Sequence, residues 1–96
     1  MIYHIKWKTK DHQKSIAKFQ KDKHALPTAG PQAGLTILGS WHAVGQNFGF
    51  TVIQTDDPKL LHALTLSWAS VLDCEVTQVL SDHEAVLAFE MVGTLK

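Results

Sequence analysis

The stretch Phe48-Gly-Phe-Thr-Val-Ile-Gln-Thr55-Asp56-Asp57-Pro58 decides how this chain folds. Its first eight residues are rich in aromatic and β-branched side chains and read as a strand. The Asp-Asp-Pro that follows reads as a helix start. An aspartate accepts the orphan amide protons of a first turn, and proline at the first helical position lacks a proton that had no partner anyway. Leu60, Leu61, Leu64, Trp68, Val71 and Leu72 then recur at three- and four-residue spacing, which predicts a helix over 58–72.

Upstream, residues 35–44 form a second strand-like run, joined to 48–55 by Gly45-Gln46-Asn47, a connection suited to a β-hairpin. Residues 26–34 (Leu-Pro-Thr-Ala-Gly-Pro-Gln-Ala-Gly) continue neither periodicity. They read as a loop, either an ordinary connection or a lid over a cleft. Residues 11–24 predict a weakly amphipathic helix, with Asp11 as N-cap and Ile16, Ala17 and Phe19 as a thin apolar stripe. In residues 1–8, Tyr3, Ile5 and Trp7 alternate with His4, Lys6 and Lys8, the period of a half-buried strand. Downstream, 74–80 is a strand, and Ser81 with Glu84 has capping-box spacing, opening a helix that stops near Gly93. The order predicts an α+β, ferredoxin-like βαββαβ fold with a C-terminal helix: two helices on one face of a four-stranded antiparallel sheet.

Ninety-six residues suffice for one domain, 1–96, burying about 65% of the surface of the unfolded chain. The composition, 45% hydrophobic and 19% charged, is globular. No apolar run has the length of a membrane span and no signal-peptide pattern opens the chain, so a soluble cytoplasmic protein is expected. Seven of nine lysines lie in the first 23 residues, but the chain has no arginine, the residue that dominates bidentate phosphate recognition. Nucleic acid is therefore not expected as a partner. The single cysteine, Cys74, can make no internal disulfide and reads as a small buried hydrophobe.

Two helices cover one sheet face only. If Tyr3, Ile5 and Trp7 face the helices, with Leu64, Trp68 and Val76 completing the core, uninterrupted alternation gives the other face Ile2, His4, Lys6, Leu38, Ser40, His42, Val44, Thr51, Ile53, Glu75, Thr77 and Val79. That face is about half apolar, and a patch of this kind predicts association as a twofold homodimer in which two sheets pack together. Gly39 and Gly45 allow bulges that would exchange the faces of Trp41 and His42.

The run from Gly39 to Val79 carries Gly-Ser-Trp-His after an apolar strand, Phe-Gly-Phe opening the next, Asp-Asp-Pro before a helix, and Trp68-Ala-Ser-Val-Leu ahead of Glu75-Val-Thr77. In this it resembles a family of short bacterial proteins catalogued as a domain of unknown function. It departs at Ser70 and Gln78, where that pattern has aspartate and proline nearby. The family looks like part of the dimeric α/β-barrel group, which includes small monooxygenases, muconolactone isomerases and stress-responsive barrel proteins. The resemblance implies a fold and a dimer, and it carries over no catalytic residue.

Six histidines include no metal-binding spacing, so no metal and no cofactor is expected. His12, His24 and His83 sit at helix ends and His62 on a helix surface. His4 and His42, near Thr51 and Glu75 on the open face, form the candidate ligand-binding cluster, with Trp41 as a possible cavity wall. Two functions follow. One is a homodimer whose cleft between sheet and partner binds a small apolar or aromatic molecule, with cofactor-free monooxygenase or isomerase chemistry as its enzymatic form. The other is a non-catalytic module for self-association or protein binding. The sequence leaves open whether the protein is an enzyme, and no catalytic residue is assigned.

Overall fold

The structure, a computed structural model, describes residues 1–22 and 34–95. The expected loop 26–34 lies outside the described residues apart from Gly34, as does His24. The elements are β1 (Ile2–Thr9), α1 (His12–Asp22), β2 (Thr36–His42), β3 (Phe48–Gln54), α2 (Pro58–Trp68), β4 (Leu72–Val79) and α3 (Asp82–Leu95). The four strands form one sheet in the order β2-β3-β1-β4, every pair antiparallel. This is the ferredoxin-like arrangement that the element order predicts.

The caps are those the sequence predicts. Asp57, extended at φ −120° and ψ 100°, accepts from the Lys59 amide at 3.0 Å, with Pro58 beginning α2. Asp11 accepts from the Lys14 amide at 3.0 Å. Ser81 and Glu84 satisfy each other's backbone amides at 3.2 Å and 3.2 Å. Each arrangement removes unpaired amide protons from a helix start. In the β2–β3 hairpin the Gln46 amide donates to the Ala43 carbonyl at 3.1 Å, and Gly45 takes φ +70° at the position where this turn requires a left-handed residue.

Two helix ends differ from expectation. α2 stops at Trp68: the Ala69 amide bonds back to Leu66 and the Val71 amide to Trp68, the tighter spacing that closes a helix. Val71 and Leu72 leave the helix, and Leu72 opens β4 opposite Thr9. They keep helical spacing because both drop into the same core as Trp68. α3 does not stop at Gly93 but continues to Leu95.

The core has two parts. Tyr3, Ile5, Leu35, Ile53 and Leu61 fill one; Trp7, Trp68, Val71 and Leu72 fill the other, with Leu64 and Cys74 packed against both. Val76 faces the helices, as partner of Ile5, but remains exposed at the edge strand.

The sheet faces correct the sequence reading. A register shift between Ile37 and Gly39 makes Leu38 the bulge residue, so Ser40 and His42 pair with Thr51 and Gly49 on the helix side, while Trp41 pairs with Phe50 on the open side. In β3, Thr51 and Ile53 pair with Ile5 and Tyr3 and therefore also face the helices. Four residues assigned to the open face, Ser40, His42, Thr51 and Ile53, thus lie on the other. The cause in β3 is Gly49: a Cβ there would collide with the Trp7 ring and the Trp41 carbonyl, so only glycine fits beneath the Trp7 indole. That fixes Gly49, Thr51 and Ile53 inward and sends Phe48, Phe50 and Val52 outward.

Candidate functional site

The expected cluster is divided between the two sides of the sheet. His42 and Thr51 are on the helix side; His4, Trp41 and Glu75 are on the open side.

On the helix side, a partly open cavity of about 90 Å³ lies between the sheet and the helices. Its walls are apolar: Ile5, Trp7 and Ile53 from the sheet, Phe19 from α1, Leu64 and Trp68 from α2. Phe19 stands 4.6 Å from Trp68 and 5.4 Å from Trp7, ring centre to ring centre, and links the two indoles. The polar border is a short chain of hydrogen bonds. Trp7 Nε1 donates to Thr51 Oγ1 at 3.3 Å, and Thr51 Oγ1 lies 2.9 Å from Ser40 Oγ. Either hydroxyl of this pair can donate to the other, and with Thr51 as the donor the Ser40 hydroxyl can donate to a bound molecule. Cys74 also lines the cavity. Burial, and then the charge of neighbouring Asp73, pushes its thiol above the usual range, so at neutral pH it is protonated and a poor nucleophile.

His42 does not line this cavity. It packs edge-on against Trp7 at 4.9 Å and Phe19 at 5.1 Å, and borders a second cleft of about 70 Å³ with His12, Ser15 and Asn47. Among the described residues no carboxylate is hydrogen-bonded or ion-paired to it.

On the open side, His4, Phe50 and Trp41 stack side by side across three strands. Centroids are 5.3 and 5.1 Å apart, with interplanar angles of 22° and 25°. Gly39 makes room for the last ring, since a Cβ there would enter the Trp41 indole. Lys6 lies over Phe48 at 5.3 Å and faces Glu75 across the β1–β4 ladder. Glu75 is thus a register neighbour of Lys6 and makes no hydrogen bond to His4. Trp41 lines neither of the two cavities described above and stands half exposed beside Phe50.

Among the described residues no three His, Cys, Asp or Glu side chains come together as metal ligands, and no helix is long and apolar enough to cross a membrane. His12, His62 and His83 are exposed.

The sequence reading missed the Trp7–Thr51–Ser40 line. Its one available signal was Gly49 between two phenylalanines, since a glycine inside a strand marks a close approach of some other group.

Fold and site together define a small α+β domain of ferredoxin-like topology with an apolar cavity under its helices. The chain belongs to the family described as a domain of unknown function, DUF3303, whose profile matches residues 1–92. No curated protein matches it.

Proposed function

We propose that this domain works as a homodimer and that each subunit holds one small, mainly aromatic or apolar molecule between its sheet and its helices. The observation that carries the binding reading is the polar line Trp7–Thr51–Ser40 along an otherwise apolar wall. Ligand sites are built in this way, from apolar surface for affinity and a few convergent polar groups for orientation. A ring bearing one acceptor, such as a phenol oxygen or a carbonyl, would sit against Trp68 and Phe19 and accept a hydrogen bond from the Ser40 hydroxyl.

Among the described residues the lining holds no histidine, carboxylate or lysine, and Cys74 is held as a thiol. This favours retention of a molecule over proton-transfer chemistry, so oxygenase or isomerase activity is the weaker form of the reading.

Titration with phenol, indole and a flavin, followed by tryptophan emission and melting temperature, tests it. Saturable quenching of Trp7 and Trp68 with a raised melting temperature is the expected result. A flat response to all three would leave the second reading, a non-catalytic self-association module. That reading is favoured by the exposed His4–Phe50–Trp41 stack, a surface of the kind that marks interfaces.

A further inference from the structure

We infer that the C-terminal helix α3 packs on the open sheet face of a second copy of this chain, so that each subunit clasps the other. The inference rests on the homodimer proposed above and names what covers its surface.

α3 is anomalous as a surface helix. Its sequence from Ala85 to Val92 is apolar on nearly every side, broken only by Glu90, and a helix of that composition is normally buried. Here every side chain from Asp82 to Thr94 is exposed except Ala85 and Ala88, which are half-buried. Val86, Leu87, Phe89, Met91 and Val92 are between 48 and 71% exposed. At 14 residues the helix is also at the length where an isolated helix is marginal in water. It therefore needs a cover that the described residues of its own subunit do not supply.

Three observations select the partner's sheet. The same chain exposes both surfaces, the helix and the Trp41–Phe50–Leu38 face, so a twofold axis satisfies both twice. Charge argues against a lipid cover: residues 81–95 carry Asp82, Glu84 and Glu90 and no lysine, while on the open face Lys6 and Lys8 each stand opposite an acid, Glu75 and Asp73. An acidic apolar helix does not suit an anionic lipid surface, which selects lysine and arginine. Extent points the same way: α3 leaves Val86, Leu87, Phe89, Met91 and Val92 about half exposed or more and the sheet leaves Trp41 half exposed, apolar surface of the kind that interfaces of roughly 800 Å² per partner are built on.

The test combines sedimentation and circular dichroism on the full chain, with Phe89→Glu plus Met91→Glu on the helix, Trp41→Ala on the sheet, and all three together. Wild type should sediment at twice 10.7 kDa at micromolar concentration and lose helical signal on dilution into the monomer. The helix pair and Trp41→Ala should each weaken the dimer at least tenfold, and their combination by less than the product, because both remove one contact. Near-ultraviolet signals from Trp7 and Trp68 should persist in the variants, since neither surface belongs to the core. A dimer weakened by Trp41→Ala but untouched by the helix pair would overturn this inference and leave the homodimer standing. Full multiplicativity would also overturn it. A wild-type monomer of constant helicity would sink both.

Discussion

The Trp7 indole lies directly over Gly49, close enough that a Cβ at residue 49 would overlap its ring. This contact sets the inward face of β3 and places Trp7 Nε1 within 3.3 Å of Thr51, so it underlies the candidate site as well as the fold.

Gly49→Ala should therefore be costly. The methyl meets a buried indole on one side and backbone on the other, and overpacking of this kind costs about 1–3 kcal/mol. Denaturant unfolding should show the loss, accompanied by altered Trp7 emission. Gly39→Ala is the control: it displaces Trp41, which is half exposed and can swing into solvent, so its effect on monomer stability should be clearly smaller.

Thr51→Val keeps the shape of the side chain but removes the acceptor for the Trp7 indole. Leaving that part-buried donor unpaired should destabilise the domain by about 1–3 kcal/mol. Ser40→Ala removes only the exposed end of the chain and should leave stability nearly unchanged while weakening any ligand that accepts a hydrogen bond from the Ser40 hydroxyl. Unfolding curves for both variants, with ligand titration of Ser40→Ala, check the division; equal destabilisation would contradict it.

Cys74 should react slowly with thiol reagents at pH 7, because burial first and the Asp73 charge second hold it protonated. Its labelling rate should rise only above the pH range in which a free cysteine does. The sign for stability follows: a folded-state pKa above the unfolded one gives a contribution present at lower pH and lost as pH rises through the folded value. Measuring the labelling rate against pH, with a cysteine peptide as reference, gives the comparison. A rate that follows the peptide would show a solvated thiol.

Glu84 should make α3 sensitive to acid. Its carboxylate accepts from the Ser81 amide and then from the Ser81 hydroxyl, which holds its pKa below the ordinary value. The stabilisation is present above the unfolded carboxylate pKa and lost as pH falls through the lower, folded one. Helical ellipticity should drop over that acid range, and Glu84→Gln, which has no carboxyl to protonate, should flatten the dependence. An acid transition identical in Glu84→Gln would rule the capping box out as its cause.

Local chemistry was legible wherever a few neighbouring residues carry it. Asp57-Pro58 starts α2, Ser81 and Glu84 start α3, Gly45 turns the hairpin, and the alternation of Tyr3, Ile5 and Trp7 gives β1 its inward face, because a cap, a turn or a period is complete within one stretch of chain. From these the element order, and with it the ferredoxin-like topology, follows from sequence alone. The candidate site was not legible in the same way. Strand period is two, so a single bulge at Leu38 moves Ser40 and His42 to the helix side, and an indole arriving from β1 over Gly49 turns Thr51 and Ile53 inward although Phe48 and Phe50 are the larger apolar set. The sequence by itself determined the elements and their order. Which face each strand presents, and so which side chains meet at the cavity and which lie open for a partner, was decided only when residues 42 positions apart packed together, since the volume of Trp7 leaves room for one residue type beneath it.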